Sequence, residues 1–279
     1  MASCLFCGLI KKQQPNTIVS NDAVVALLDK RPSVAGQIIV LTRNHYPLLS
    51  QIPDRELAEL LGSVKKISQA MLRTYDVAGT TVLGRVGVEA GQIVPHASLV
   101  VMPRYEGDGV GLDVPVPASA GCNLCQMEGV SEEFGDADTL CFQLEGFAGL
   151  GVATRAHYPI LEAVPDQMLE PLGRTLKEAI QLMLSNWNAS AVTVLLHNGI
   201  PAGQRMPHAV FWLIAREKND GRFSLPERAV GEEDTGRIVS AMREALVGMG
   251  GPVGVETMQS AQVSNEVSDY LLEKLKRVP

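Results

Sequence analysis

"TRNHYPLL" at residues 42–49 returns as "TRAHYPIL" at residues 154–161, and "AGQIVPHA" at 90–97 returns as "AGQRMPHA" at 202–209. Both pairs are separated by the same 112 residues. A common offset indicates a duplicated structural unit, because unrelated matches would not keep one spacing. The sequence therefore predicts two homologous copies of one domain, and these four segments mark corresponding positions in them.

The segment between the two copies, "YEGDGVGLDVPVPASAG" at residues 105–121, is rich in glycine, proline and aspartate. This composition is typical of a loop that connects folded units. A chain of 279 residues is also long enough for about two domains. We expect four parts, namely a first domain at 1–108, a linker at 109–121, a second domain at 122–220 and a C-terminal helical extension at 221–279.

The apolar pattern predicts the same elements in both copies, namely strands around one long amphipathic helix. Copy one has predicted strands near 23–28, 37–42, 80–83 and 98–102, with a helix at 54–75. Copy two has a predicted helix at 166–185 and strands at 191–196 and 209–214. Two further helices are predicted at 235–249 and 264–277. The fold class is therefore predicted to be α+β, with a mostly antiparallel sheet and one long helix in each domain.

Composition excludes several classes of function. Hydrophobic residues make up 46% of the chain, the net charge is -7 and the pI is about 5.3. An acidic chain lacks the clustered Lys and Arg that nucleic-acid backbones attract, so a nucleic-acid partner is not expected. No apolar run approaches the ~18 residues that span a bilayer, and we expect a soluble, cytoplasmic protein without a membrane partner.

Each copy contains a Cys-x-x-Cys pair, a histidine in "HYP" and a histidine in "PHA", and these two histidines are 51 residues apart in both copies. Two thiolates and two imidazoles are a ligand set that closes a tetrahedral Zn(II) site. The alternative is free thiols and ordinary core histidines. We predict two zinc ions per chain, held by Cys4, Cys7, His45 and His96 in copy one and by Cys122, Cys125, His157 and His208 in copy two.

The fifth histidine of the chain, His197, lies in "LLHNG". The aligned position in copy one is Arg85, so the pattern does not repeat there. We expect His197 to be a solvated loop histidine, with a phosphate contact as the alternative.

The segments "CLFCGLI", "NDAVVALLDKRPSVAGQIIVLTRNHYPLL", "DRELAELL" and "AGQIVPHASLVVMPR" together resemble a histidine triad (HIT) domain. The resemblance covers nearly all of copy one and, more weakly, copy two. Members of this family bind nucleotides and carry His-x-His-x-His, in which the middle histidine attacks the α-phosphate. In many zinc-containing members the first histidine, His96 here, is a metal ligand.

The chain departs from the family pattern at the other triad positions. The middle and third positions are Ser98 and Val100 in copy one, and Val210 and Trp212 in copy two. A serine hydroxyl is a weak nucleophile without an adjacent base, and Val100 cannot be that base. We therefore predict a catalytically degenerate pair of domains, with Ser98 standing at the nucleophile position.

The resemblance also implies a nucleotide site. The loop before the triad strand approaches phosphate in the family, an acidic residue lies near the ribose, and an Asn-x-Gly region is close by. A tight turn for the glycines and a strand-end cap for Asp29 are the alternative interpretations. The residues that match the family's nucleotide site are Asp29, Gly91, Gln92, Ser98, Asn198, Gly203 and Gln204.

The two-copy layout resembles galactose-1-phosphate uridylyltransferase, and implies that the copies form an intramolecular pseudo-dimer with a shared sheet. The favoured hypothesis is a non-catalytic zinc protein that binds a nucleotide, a nucleotide sugar or a protein partner. The alternative is a diverged nucleotidyltransferase or nucleotide hydrolase that uses Ser98, or His197 with Arg85, on a phosphate.

Overall fold

The computed structural model describes residues 4–249 except 13, 76, 105–106, 117–120, 224 and 226–230. The helix predicted at 264–277 lies outside the described residues. The strands in this part of the chain are β1 (Thr17–Ser20), β2 (Val24–Leu28), β3 (Ile38–Thr42), β4 (Gly79–Val86), β5 (Ser98–Arg104), β6 (Val130–Gly135), β7 (Thr139–Leu144), β8 (Leu150–Thr154), β9 (Ala191–Asn198) and β10 (Val210–Arg216). The helices are α1 (Leu5–Lys11), α2 (Asp54–Thr74), α3 (Asn123–Gln126), α4 (Leu169–Ser185) and α5 (Glu232–Gly248).

All ten of these strands form one antiparallel sheet in the order β1-β2-β3-β5-β4-β9-β10-β8-β7-β6. The order reads the same from either edge when each strand of copy one is replaced by its counterpart in copy two. Strands β4 and β9 meet at the centre, where Leu83 pairs with Leu195, the residue 112 positions later. The two copies are therefore related by a local two-fold axis through one continuous sheet.

One face of the sheet is covered by the two long helices. Helix α2 begins after Pro53 with two acidic residues in its first turn, Asp54 and Glu56, which favour a helix start through the dipole. Its buried positions recur at three- and four-residue steps, as do those of α4. The two helices pack on each other and on the sheet, and α5 packs on α2 and β1. The largest hydrophobic cluster lies between these helices and the sheet.

The opposite face of the sheet, the triad face, carries Ser98, Val100, Val210 and Trp212. In copy two this face is covered by the linker. The apolar linker residues Val110, Leu112, Val114 and Val116 are all buried and belong to one cluster with strand residues of the triad face. The linker is extended and alternates apolar with polar or small residues, so one side of it can pack on the sheet.

The α+β prediction is confirmed, and both long helices lie where the apolar pattern places them. Strand β1, strand β6 and the short helices α1 and α3 were not predicted from the sequence. Among the residues that the structure describes, no helix is both long enough and apolar enough to cross a lipid bilayer.

Candidate metal and ligand sites

Four side chains from three separate parts of copy one meet at one point. Cys4 precedes α1, Cys7 lies in its first turn, His45 follows β3 and His96 precedes β5. Their ligand atoms all lie within 4.8 Å of one another. The Cys7 Sγ is 3.3 Å from His45 Nδ1 and 3.6 Å from His96 Nδ1, and the Cys4 Sγ is also 3.6 Å from His96 Nδ1.

These separations fit a tetrahedral metal. Bonds of about 2.3 Å to sulfur and about 2.0–2.1 Å to nitrogen, at tetrahedral angles, place a sulfur and a nitrogen ligand roughly 3.6 Å apart. The observed sulfur-to-nitrogen distances of 3.3 to 3.6 Å agree with that value. The donor set and its geometry therefore suit a metal ion of the zinc type.

The second cluster repeats the first. Its four ligand atoms also lie within 4.8 Å of one another. The Cys125 Sγ is 3.2 Å from His157 Nδ1 and 3.7 Å from His208 Nδ1, and the Cys122 Sγ is 3.6 Å from His208 Nδ1. Two clusters of the same composition and geometry can thus each hold one metal ion.

The buried histidine of each cluster is oriented by a backbone carbonyl. The Nε2 of His96 lies 2.8 Å from the Thr42 carbonyl oxygen, and the Nε2 of His208 lies 3.0 Å from that of Thr154. An N–H donated from Nε2 leaves the Nδ1 lone pair facing the thiols, which is the arrangement that metal-binding histidines use. Burial also lowers the pKa of His96, and that of His208 to about 4, so both rings are neutral at neutral pH.

The pKa values of one cysteine in each cluster are raised, whereas those of the buried histidines are lowered. Burial, together with a hydrogen bond to Cys4, raises the pKa of Cys7, and burial and Cys122 raise the pKa of Cys125 to about 11. Metal binding must therefore displace protons from these thiols.

At the triad positions of copy one, Ser98 is half-buried and Val100 is buried. Among the described residues, no imidazole or carboxylate lies within hydrogen-bond distance of the Ser98 hydroxyl. A serine hydroxyl needs such a base to become a nucleophile. The described residues therefore place no base beside the Ser98 hydroxyl.

At the triad positions of copy two, Val210 and Trp212 are buried. The Trp212 ring packs edge-to-face against Phe142 and Phe147, with ring centres 5.9 and 5.0 Å apart. The space left between these residues, the Gly203–Gln204 loop and the linker is about 10 Å³. A cavity of that size holds at most one water molecule, so the space directly over the triad positions of copy two cannot accept a nucleotide.

The expectation that His197 is a solvated loop residue is wrong. His197 lies within β9, close to the centre of the sheet, and only 4% of it is exposed. Its Nδ1 is 3.1 Å from Thr81 Oγ1 and its Nε2 is 3.0 Å from the Leu112 carbonyl oxygen in the linker. Burial, and next the charge of Arg104, lower its pKa to about 4. The alternation of Thr193, Leu195 and His197 along one strand face was the signal that could have placed it.

The loops predicted to contact phosphate are held together in both copies by a glutamine side chain that bonds to backbone groups. The Gln92 side chain accepts the Gly87 N–H (2.8 Å) and donates to the Pro47 carbonyl (2.7 Å), while the Gly91 N–H donates to Val88. Gln204 makes the equivalent bonds to Gly199 and Pro159. Gly91 and Gly203 have φ values of +83 and +90, a conformation that favours glycine. The glutamines thus hold the loops in shape.

The remaining predicted nucleotide-site residues lie on different faces. Asp29 accepts hydrogen bonds from Gln37 Nε2 (2.7 Å) and from the Arg31 N–H (2.9 Å), and lies close enough to Arg85 for their charges to interact. Asn198 lies on the helix-covered face, where its side chain accepts the Leu161 N–H and donates to Thr80 Oγ1. The predicted residues are thus divided. Asn198 lies on the helix-covered face, and Gly203 and Gln204 form the loop of copy two, whereas the others belong to copy one.

Fold and clusters together define a two-copy α+β protein with one shared sheet and two Cys2His2 sites. A family model described as the HIT domain matches residues 11–107. An uncharacterized HIT-like protein of Methanocaldococcus jannaschii is 36% identical over 107 residues, which are 38% of this chain and 82% of that protein. The chain belongs to the histidine triad family.

The chain is also similar to one further protein of known name in sequence and to one solved structure in fold. An adenosine 5'-monophosphoramidase of Candida albicans is 30% identical over 124 residues, which are 43% of this chain and 81% of that protein. The structure of a GalT-like protein from Arabidopsis thaliana superposes with a TM-score of 0.63 at 13% identity, and covers 87% of this chain and 92% of that chain. The HIT-type fold with a GalT-like two-domain layout is thus confirmed.

Proposed function

We propose that this protein is a zinc-stabilised tandem HIT protein that binds a nucleotide or nucleotide sugar at copy one and does not catalyse nucleotidyl transfer. Each copy holds one Zn(II), two per chain, in its Cys2His2 cluster. The zinc sites stabilise the two halves. Cysteines used as metal ligands and not in disulfides are typical of reducing compartments, which supports a cytoplasmic location.

One observation carries this proposal, namely that the two functions of the family motif have separated. His96 and His208, the first triad positions, point Nδ1 into the metal clusters. The two following positions hold Ser98 and Val100, or Val210 and Trp212, and none of these can form a nucleotidyl-imidazole. The residues that fold the protein are present, and the residues for the chemistry are replaced.

Ligand binding is assigned to copy one because its triad face is the more exposed one. Ser98 is half-buried, while its counterpart Val210 is only 2% exposed. Gly91 is exposed and Gly203 is half-buried under the linker. The relative with adenosine 5'-monophosphoramidase in its name supports a nucleotide as the ligand class.

The alternative, a diverged transferase or hydrolase that relies on Ser98, receives no support from the surroundings of the hydroxyl. The two proposals are separated by thermal unfolding of the zinc-loaded protein with nucleotides, nucleotide sugars and dinucleoside polyphosphates, followed by turnover assays of every ligand that binds. A ligand at ~100 times its Kd adds about 2.7 kcal/mol, a shift of several degrees.

A selective shift without turnover is the expected result. Turnover that Ser98→Ala abolishes would establish the enzyme instead. No shift with any ligand would overturn nucleotide binding and leave a scaffold for a protein partner.

A further inference from the structure

The centre of the triad face is built from pairs of residues related by the two-fold axis. Arg104 donates from Nη1 to Thr81 Oγ1 at 3.0 Å, and Arg216 donates from Nη1 to Thr193 Oγ1 at 2.8 Å. Each arginine also pairs with an aspartate four residues later, Asp108 or Asp220. These charges are therefore neutralised in the same way on both sides of the axis.

The symmetry fails at one position, where copy two has His197 and copy one has Arg85. Both ring nitrogens of His197 have partners, Thr81 and the linker carbonyl of Leu112. Among the described residues, Arg85 has no hydrogen bond and no ion pair within 4.0 Å. Burial lowers the pKa of Arg85, Asp29 acts in the opposite direction, and the charge of Arg216 lowers it further. A half-buried guanidinium with five N–H donors is thus left without a direct acceptor.

The neighbours of Arg85 are the residues that match the nucleotide site. The register of β4 and β5 pairs Gly84 with Leu99, and its continuation places Arg85 opposite Ser98 on the triad face. On the loop side, a Cβ on Gly91 would lie 3.4 Å from Arg85 Cδ and 3.5 Å from its Nε. The side chain therefore lies along the phosphate loop with Ser98 beside it.

We infer that the Arg85 guanidinium binds the phosphoryl group of the ligand at copy one, as the positively charged side chain beside the phosphate loop. This inference rests on the proposed nucleotide binding. A guanidinium makes two parallel charge-assisted hydrogen bonds to a phosphate, and removal from water strengthens them. Arg85 would thus hold the phosphoryl group by charge and hydrogen bonds. This binding needs no reactive histidine at the middle triad position.

The test is isothermal titration of the full-length, zinc-loaded chain with ADP, adenosine and inorganic phosphate. Arg85→Gln removes the charge, and Arg55→Gln is the control because the Arg55 side chain is 88% exposed on α2, where it pairs with Glu59. We expect Arg85→Gln to weaken ADP binding about tenfold or more, and Arg55→Gln to leave it unchanged. Adenosine affinity should stay the same in all three proteins. Binding of free phosphate that Arg85→Gln abolishes would show that the phosphoryl group alone is recognised.

Unchanged ADP affinity in Arg85→Gln would overturn the role of Arg85 while nucleotide binding stands. Failure of ADP, adenosine and phosphate to bind the unsubstituted chain would overturn both. Zinc content and unfolding temperature of the variant show that it is folded, and removal of an unpaired buried charge is expected not to lower that temperature. A second readout needs no variant, namely chemical modification of Arg85 by phenylglyoxal. We expect ADP to protect Arg85 and adenosine not to protect it. Equal modification with and without ADP would contradict the inference.

Discussion

The triad face of copy one and the triad face of copy two have the same strands and the same register, but different surroundings. In copy two the linker lies on the sheet, Trp212 fills the third triad position, and about 10 Å³ remains between them. In copy one Ser98 and Arg85 are half-buried and Gly91 is exposed. The two metal clusters, by contrast, have nearly the same geometry in both copies.

This difference shows which parts of a duplicated domain can change independently. In each copy the Cys2His2 cluster brings the cysteine segment at the start of that copy next to the ends of two strands, so a metal ion bound there would stabilise the copy. The triad face has no such requirement. If copy one binds the ligand, as we propose, the face of copy two is free to serve as the packing surface on which the linker lies.

Loss of a metal ion should produce the largest change and should affect the two copies alike. We expect Cys7→Ser and Cys125→Ser each to reduce zinc content from two to one per chain, measured by elemental analysis. Structural zinc sites contribute on the order of 10 kcal/mol, so the free energy of unfolding should fall by several kcal/mol in each variant. Cys141→Ala is the control for zinc content, because Cys141 belongs to neither cluster and alanine adds no polar group to the core in which Cys141 is buried. Unchanged stability after complete zinc removal would contradict the structural role.

Breaking the ion pair that anchors the linker should have the next largest effect, and here the copies should differ. Asp108 and its partner Arg104 are almost fully buried, while the side chain of Asp220 is 17% exposed. Asp108→Asn leaves a buried guanidinium unpaired and should cost about 3–5 kcal/mol. Asp220→Asn should cost less, about 1–2 kcal/mol, because water reaches that pair. Urea unfolding of the two zinc-loaded variants measures the change in the free energy of unfolding. Equal changes would contradict a stronger contribution from the Arg104–Asp108 pair than from the Arg216–Asp220 pair.

The smallest expected effect concerns Glu162, which lies where copy two meets α2. Burial raises its pKa above the ordinary 4.5, although Ser68 donates to it, and its Oε2 is buried without a partner among the described residues. A raised pKa means that the folded state binds the proton more tightly, so this stabilisation is full below pH 4.5 and is lost as the pH rises through the raised value. Glu162→Gln should therefore reduce the fall in stability with rising pH.

Glu178→Gln, at an exposed position on α4, is the control for that experiment and should leave the pH dependence unchanged. Unfolding in urea at several pH values, from about 4.5 to about 8, provides the comparison. A pH dependence that is the same in Glu162→Gln and in the unsubstituted chain would show that the carboxyl group is solvated.

The sequence predicted those features that a repeated spacing constrains. The equal 51-residue intervals in the two copies placed His45 with His96 and His157 with His208, and the apolar period placed α2 and α4. The position of the linker depends instead on which face of the sheet the helices leave uncovered. This depends on the tertiary structure and cannot be predicted from the glycine and proline content of the linker. Val110, Leu112, Val114 and Val116 do alternate with small or polar residues, and this period of two was the available signal.

The same reason explains the error at His197. The strand was predicted to end at residue 196, but it continues through Asn198 because β4 of the other copy pairs with it. Pairing between segments more than 100 residues apart extends the strand, and the apolar pattern of the segment alone does not show this. Asn198 consequently faces the helices, whereas Ser98 and Arg85 lie on the triad face of copy one.

The measurement that tests the central claim most directly is native mass spectrometry of the zinc-loaded chain titrated with ADP. We predict a species with two zinc ions and one nucleotide per chain, with no AMP released over time. Two nucleotides per chain would show that the linker does not close copy two. No bound nucleotide, or release of AMP, would contradict a binding protein that has lost the family's chemistry.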